Sequence, residues 1–212
     1  MKKILCLILS LVMLTSLCAC SSDTGGESET ETSPPFTIGT SRGESYHSDF
    51  LGLTVTIPDE WRFYSEEEIL ALNNITQSFF DFKAKEALEN ADKVHDMVAL
   101  MESEGSSITV VFRKLPAAEL ASFDYDTYIN SQLEALKITY EGFGLSNVEI
   151  KSDKIKVDGR TLNGITLTGV IYGTEFCMKM LVIQQGSYLA NIDIGAYGSD
   201  EVDEILDWFD FD

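Results

Sequence analysis

The sequence predicts an α+β domain in which an antiparallel β-sheet is sandwiched by α-helices, an α/β/α arrangement. Segments of alternating apolar residues are joined by very short links, and links this short require antiparallel neighbours. Both faces of the central strands carry apolar side chains, so both faces must be covered. Segments with apolar residues at helical spacing supply the covering layers.

Composition and charge narrow the class of protein. The chain has 212 residues, 44% of them hydrophobic, and carries 35 acidic against 15 basic residues for a formal net charge of −20. This composition excludes a collagen, a coiled-coil rod and a wholly disordered chain. Nucleic-acid binding depends on Lys and Arg that neutralise phosphates, so the acidic balance argues against a nucleic-acid partner.

Residues 1–19 have the features of a signal peptide. Lys2 and Lys3 form a basic start, and residues 4–14 form an apolar run broken only by Ser10. A run of this length is too short to cross a bilayer core, which needs ~20 apolar residues. We therefore expect this segment to direct export and then to be removed.

The segment Leu17-Cys18-Ala19-Cys20 resembles the lipobox of bacterial lipoproteins. The resemblance implies cleavage after Ala19 and a diacylglycerol thioether on Cys20, which would anchor the protein in the lipid bilayer on the extracytoplasmic face of the cell membrane. Two acyl chains give lasting anchorage. The alternative is an ordinary secretory signal with incidental cysteines. After cleavage Cys177 is the one unmodified cysteine, so no intrachain disulfide is expected.

Residues 20–45 are predicted to form a flexible acidic tether. Apart from Cys20 they are almost wholly Ser, Thr, Gly, Glu, Asp and Pro, with Phe36 and Ile38 as the large apolar exceptions. Such a segment buries too little surface to fold. The folded domain is predicted to occupy residues 46–212.

The domain opens with a strand and a helix. In residues 53–57 apolar residues alternate with threonines, which predicts a strand with one buried face. Ser65 and Glu68 form a capping box that starts a helix extending to about Asn90, with a break at residues 73–74.

The rest of the domain is predicted to be mostly strand with two further helices. The second helix begins after Asp124 and stops at Gly142. The last helix is capped by Ser199 or Asp200 and carries Phe209 on its apolar face. The remaining strands are predicted at residues 95–101, 107–115, 148–150, 155–157, 161–172, 175–183 and 187–194.

The opening and the end of the domain resemble PsbP-like and DcrB-like domains. The opening is Tyr46 and Phe50-x-Gly52-Leu53-x-Val55-x-Ile57-Pro58-x-x-Trp61, and the end is Ile205-Leu206-Asp207-Trp208-Phe209. The opening is also similar to that of small Gram-positive lipoproteins of unknown function. The resemblance implies a helix-covered antiparallel sheet and no particular activity. Alternatives are a cystatin-like sheet with helices on one face, or an open barrel.

No catalytic or metal-binding motif is present, so the sequence predicts no catalytic residue, metal or cofactor. His95 beside Asp96 would suit a general base or a metal ligand, but it is more simply a polar residue at a strand start, and no His or Cys cluster accompanies it or His47. Cys177 would suit a nucleophile, but it lies in the middle of a strand and is predicted to be an inert core thiol.

Two larger groups of residues are also candidate sites. The acidic C-terminus suggests a cation site, although its spacing is not that of an EF-hand loop and a solvated helix face explains it more simply. Its members are Asp200, Glu201, Asp203, Glu204, Asp207, Asp210 and Asp212. Aromatic residues that suit a binding groove, or more simply the core, are Trp61, Tyr64, Tyr140, Tyr172 and Tyr188.

Three functions remain open from the sequence. The leading hypothesis is a non-enzymatic, membrane-anchored extracytoplasmic module that binds or supports a protein or peptide partner. Its acidity would favour a basic or cationic partner. The second is a lipoprotein that holds a small molecule or a cation between sheet and helix. The third is a hydrolase without a recognisable motif, built on Cys177 or His95.

Overall fold

The computed structural model describes residues 35–74, 88–89 and 91–212. The strands in this part of the chain are β1 (Thr40–Arg42), β2 (Ser45–Ser48), β3 (Leu53–Thr56), β4 (Arg62–Phe63), β5 (Lys93–Met101), β6 (Ser106–Lys114), β7 (Ser146–Val157), β8 (Arg160–Ile171), β9 (Thr174–Gln185), β10 (Tyr188–Ala196) and β11 (Phe209–Phe211). The helices are α1 (Glu66–Leu72), α2 (Ala117–Ala121), α3 (Tyr125–Gly142) and α4 (Ser199–Leu206).

The strands form two sheets in which every pairing is antiparallel. The large sheet has the order β4-β5-β6-β10-β9-β8-β7, and the small sheet has the order β1-β2-β3-β11. The predicted antiparallel α+β class is therefore confirmed. The small sheet was not predicted as a separate layer.

Helix α3 covers part of one face of the large sheet. Its Ile129 and Tyr140 are buried against apolar side chains from β8 and β9. The β9 residues on this face are Phe176, Met178, Met180 and Val182, as the alternation predicts. Each buried aliphatic or aromatic side chain of this kind stabilises the fold by about 1.5–3 kcal/mol, so α3 is held chiefly by this apolar contact.

The opposite face of the large sheet is covered mainly by the small sheet, which corrects the prediction that helices alone would cover it. Leu53 and Val55 of β3 and Phe209 of β11 join a second buried cluster with Phe112 of β6. The same cluster includes residues of α4 and Leu70 of α1. Helices therefore lie on both faces, which excludes the cystatin-like alternative. Strands β4 and β7 end the large sheet, so it is open.

The first helix is shorter in the described residues than the sequence predicts. The capping box is confirmed, since the Ser65 hydroxyl accepts from the Glu68 amide and the Glu68 carboxylate accepts from the Ser65 amide. The helix ends at Leu72, and Asn74 has a φ of 58°. This ending confirms the predicted break. The apolar positions predicted beyond it fall in residues 75–87 and lie outside the described residues.

Other boundaries differ from the prediction by a few residues. Helix α3 ends at Gly142, as predicted, but the left-handed residue that closes it is Gly144, with a φ of 96°. Helix α4 begins at Ser199, so its N-cap is Gly198 and neither of the predicted caps. Phe209 belongs to β11 and not to that helix, because its backbone pairs with Val55.

Strands β7 to β10 form a meander of long hairpins. The two short strands predicted at 148–150 and 155–157 are one continuous strand, β7. Two-residue turns connect β7 to β8 and β8 to β9, and their residues have φ values of 46° and 69° at Asp158-Gly159 and 52° and 82° at Tyr172-Gly173. Positive φ at both positions is typical of type I′ hairpin turns, whose twist suits adjacent antiparallel strands.

Residues 35–45, here called the N-terminal strap, lie against the domain, although the sequence placed them in the flexible tether. Phe36 stacks on Tyr188, with ring centroids 4.1 Å apart, and meets Phe50 and Phe112 edge-on at 5.2 and 5.0 Å. Strand β1 then pairs with β2. Because Phe36 sits among these rings, the ordered domain begins before residue 46.

A β-bulge fixes the other end of the strap. Asp96 is the extra residue of a bulge in β5, where the register shifts between His95 and Met97. Both carboxylate oxygens accept from the Gly39 amide at 3.0 Å, and the Tyr46 hydroxyl donates to one of them. Bulges redirect a side chain in this way. Burial raises the pKa of Asp96 to about 6, although the bonds from Tyr46 and Gly39 act in the opposite direction.

Candidate functional site

The two candidate catalytic residues lie on opposite faces of the large sheet. Cys177 is buried in the cluster beneath the small sheet. His95 faces the α3 side, because it pairs across β6 with Asn191, whose side chain bonds to α3. The second histidine, His47, is exposed and bonds to Thr54 and Asp49. The structure does not bring a thiol and an imidazole together in the described residues.

We expect the Cys177 thiol to be unreactive in the folded protein. The residue is 1% exposed, and burial raises the pKa of its thiol to about 11. Since the thiolate is the reactive form, iodoacetamide should label Cys177 slowly in native buffer and rapidly in 6 M guanidinium. Mass spectrometry of timed samples measures both rates. Equal rates in the two conditions would contradict the burial of this thiol.

The acidic residues of the C-terminus are spread among separate partners. Asp203 pairs with the Lys179 ammonium, and Glu201 accepts from the Ser106 hydroxyl at 2.7 Å. In the described residues no group of three or more His, Cys, Asp or Glu side chains is placed to hold a metal ion.

The candidate aromatic residues do not form one groove. Trp61 packs edge-on against Trp208 at 5.2 Å, whereas Tyr140 of α3 is buried against the large sheet. Tyr188 stacks with Phe36 on the other face, and Tyr172 is 76% exposed at a hairpin turn. These residues therefore contribute to different parts of the fold.

A set of polar side chains lies where β5, β6 and β10 run side by side on the α3 face of the large sheet. We call this set the polar patch, and its members are Lys93, His95, Thr109, Asn191 and Asp193. Cross-strand pairing places His95, Val111 and Asn191 in one row and Thr109 and Asp193 in the next. Paired residues point to the same face, so the register brings these groups together.

The polar patch contains two buried atoms that lack a hydrogen-bond partner in the described part of the chain. They are His95 Nδ1 and Asn191 Oδ1. His95 is 6% exposed, while its backbone N–H and C=O are satisfied at 2.8 Å by the Asn73 side chain. A buried polar atom without a partner costs about 1–3 kcal/mol, and native proteins contain few of them. A bound molecule that bonds to such an atom is one of the explanations for its presence in a folded protein.

Burial shifts the pKa values of two titratable groups in the polar patch. Burial, and then the nearby Lys93 ammonium, lower the pKa of His95 to about 4, so the imidazole is neutral at pH 7. Burial raises the pKa of Asp193 to about 7, while Lys93 acts to lower it. Shifts of this size combine desolvation with a specific charged neighbour, and they occur most often at functional sites.

Arg113, together with Tyr128 of α3 and Glu119 of α2, forms the rim of the polar patch. The Asn191 amide donates to the Tyr128 hydroxyl at 2.9 Å, and the Arg113 guanidinium lies 5.8 Å from the centre of the Tyr128 ring. Arg113 donates two bonds to Glu119 at 2.6 and 2.9 Å. The Tyr128 hydroxyl accepts from Asn191, which leaves its own proton available to another acceptor.

Sequence reasoning identified only His95 of this patch. Asn191 and Asp193 alternate with Ile192 and Ile194, a pattern that ordinarily indicates a solvent-facing side of a strand. The signal that could have found the patch is the similar alternation in β5, where Lys93 and His95 flank a buried Val94. Only the pairing of β5, β6 and β10 shows that the two polar stripes face the same space.

The predicted lipidation site, Cys20, and most of the predicted tether lie outside the described residues. Within the described residues no helix is both long enough and apolar enough to cross a membrane.

Comparison with known proteins finds little. No family model and no curated protein matches the chain. Among solved structures the chain is similar to the crystal structure of LpqN, involved in cell envelope biogenesis of Mycobacterium tuberculosis, with 11% sequence identity, a TM-score of 0.38, and coverage of 74% of this chain and 76% of that chain. A likeness this weak carries no conclusion about function, and the resemblance to PsbP-like and DcrB-like domains stays a prediction.

Proposed function

We propose that this protein is a membrane-anchored extracytoplasmic lipoprotein whose domain is a non-enzymatic binding module, and that it holds a small polar ligand at the polar patch. The observation that carries the proposal is the pair of buried, unpartnered atoms, His95 Nδ1 and Asn191 Oδ1. A ligand that bonds to both atoms would remove a cost that the folded protein otherwise bears. Anchorage rests on the lipobox-like sequence that ends at Cys20.

A binding role fits these residues better than hydrolysis. Covalent catalysis needs a nucleophile within hydrogen-bond reach of a base. Cys177 and His95 lie on opposite faces of the sheet, and burial raises the pKa of the Cys177 thiol to about 11. The lowered pKa of His95, about 4, also makes it a weak proton acceptor at neutral pH. These properties do not support a hydrolase built on Cys177 or His95.

A protein or peptide partner is the second candidate, and the charge of the chain favours it. The formal net charge of −20 would draw a basic partner to the domain and hasten its association. Crosslinking on intact cells would test this candidate. We expect a specific partner with a basic surface, and recovery of none under several growth conditions would count against it.

Thermal unfolding in the presence of small molecules tests the proposed function. Cys20→Ser removes the lipidation site, and residues 20–212 carrying this substitution can be screened against pools of polar metabolites. A ligand at 100 times its Kd stabilises the folded state by about 2.7 kcal/mol, so a binding pool should raise the Tm by several degrees. The Asn191→Ala variant should not respond to that pool.

Asn130→Ala is the matched control, because it changes the same residue type at an exposed position of α3. It should respond to the pool as the unsubstituted domain does. A response of equal size in the Asn191→Ala variant would place binding elsewhere and contradict the proposed site.

A further inference from the structure

We propose that the ligand of the polar patch is a neutral polyhydroxylated molecule, a sugar of one or two rings, which binds through hydroxyl groups to His95 Nδ1, Asn191 Oδ1 and the Tyr128 hydroxyl. This inference rests on the proposed function and names the chemical class of its ligand. It is drawn from the hydrogen-bonding capacity and the charge balance of the patch.

Hydrogen-bonding capacity favours hydroxyl groups. Asn191 Oδ1 is an acceptor only, whereas the Tyr128 proton is available to an acceptor, because the Tyr128 oxygen already accepts from the Asn191 amide. Nδ1 of a neutral imidazole is a donor in one tautomer and an acceptor in the other. A hydroxyl group both donates and accepts, so it can satisfy all three atoms. An ammonium group only donates, and an ionised carboxylate only accepts.

The spacing of the strands that carry the unpartnered atoms favours an occupant with several polar groups. His95 and Asn191 lie two strands apart in one row of the sheet, with Val111 between them. Neighbouring strands are about 4.8 Å apart, so the two backbones are separated by about 10 Å. Hydroxyl groups at several positions of one ligand suit two side chains that start from backbones this far apart. A sugar ring presents hydroxyls around its edge and an apolar face that suits the half-buried Val111 below it.

Charge balance favours a neutral ligand. Lys93 and Asp193 act on each other electrostatically within the patch, and Arg113 at the rim is paired with Glu119. An anionic ligand would meet Asp193, and a cationic ligand would meet Lys93. Each would also lose the hydration of its charge on entering a partly buried site, which costs much more than the loss of hydration of a neutral hydroxyl group.

Calorimetric titration of the mature chain carrying Cys20→Ser tests this inference. The probes are glucose, N-acetylglucosamine and cellobiose as neutral sugars, putrescine and arginine as cations, and succinate and citrate as anions. We expect a sugar to bind with a Kd below about 1 mM. Asn191→Ala and Tyr128→Phe should each weaken that binding at least tenfold, whereas the exposed control Asn130→Ala should leave it unchanged.

Each outcome decides between the two proposals. Patch-dependent binding of a cation or an anion, with no binding of any sugar, would overturn the sugar inference and leave the proposed function standing. Sugar binding that neither patch variant weakens would overturn the inference, as would the absence of binding by every probe. If no probe binds and no metabolite pool raises the Tm, the proposed function is overturned as well. Tyr128→Phe keeps the ring and removes only the hydroxyl, so it separates lost binding from lost folding.

Discussion

Asp193→Asn is expected to stabilise the domain by about 2–4 kcal/mol at pH 8 and to have little effect at pH 4. Burial raises the pKa of Asp193 to about 7 from its ordinary value of 3.8. The folded state therefore retains a proton that the unfolded state releases, and stability present below about pH 4 is lost as the pH rises through 7. The full difference between these pKa values corresponds to about 4 kcal/mol. Asparagine has nearly the same shape and no charge to bury.

Urea unfolding at pH 4, 6 and 8 measures this effect. Lys93 from β5 acts on the pKa of Asp193, and the Asp193 carboxylate in turn acts on Tyr128 and Tyr140 from α3. All three neighbours stay in place in the variant. Asp59→Asn, in an exposed turn, is the control and should change stability by less than about 0.5 kcal/mol at every pH. An Asp193→Asn variant that is no more stable at pH 8 would show that the carboxyl is not desolvated.

Asp96→Ala is expected to destabilise the domain by about 3 kcal/mol at pH 7 and to release the N-terminal strap. The carboxylate accepts from the Gly39 amide and the Tyr46 hydroxyl, and Tyr46 is fully buried. Removing the acceptor takes this partner from the buried Tyr46 hydroxyl and the half-buried Gly39 amide, and a buried donor left unpaired costs about 1–3 kcal/mol. The raised pKa of Asp96 shows that burial of its carboxylate has a cost. Truncation to alanine removes that cost, but it also leaves the Gly39 and Tyr46 donors without their acceptor.

Hydrogen exchange resolved by residue detects the release directly. In the Asp96→Ala variant the amides of residues 39–47 should exchange faster, while those of β8 and β9 should keep most of their protection. Asp59→Ala provides the exposed control. Unchanged exchange in residues 39–47 would show that β1 and the Phe36 contacts hold the strap without Asp96.

Local patterns in the sequence were enough to predict most of the central strands. The alternation in residues 176–183 correctly predicts a strand with two covered faces, because each face of that strand meets a different apolar layer. The capping box at Ser65 and the cap at Asp124 are likewise local, since each side chain bonds to a backbone amide three residues away. These features depend on neighbours in the sequence and not on the rest of the fold.

The N-terminal strap could not be predicted from its own composition. Residues 35–45 are mostly polar, and their two large apolar side chains are insufficient to fold alone. The Phe36 ring packs against Phe50, Phe112 and Tyr188, and Tyr188 is more than a hundred residues away in the sequence. Strand β11 was missed for a similar reason, because its pairing with β3 joins the two ends of the domain.

The polar patch also depends on long-range pairing. Lys93 and Asp193 are a hundred residues apart, and β6 separates their strands in the sheet. Each strand alone shows only alternating polar residues, which ordinarily indicate a solvent-facing side. Their burial, the unpartnered atoms and the raised pKa of Asp193 become visible only once the register is known. A half-buried acid kept at a cost in stability is expected where function requires it.

Residue-resolved NMR shows whether the polar patch binds a ligand, because it locates a binding site even when the ligand is one component of a mixture. The mature chain carrying Cys20→Ser would be labelled with ¹⁵N and titrated with a protein-free, small-molecule extract of bacterial cell envelopes. We expect saturable shifts confined to the amides around His95, Thr109, Asn191 and Asp193, and their loss in the Asn191→Ala variant. An unchanged spectrum, or saturable shifts centred on another part of the surface, would contradict a binding module built on the polar patch.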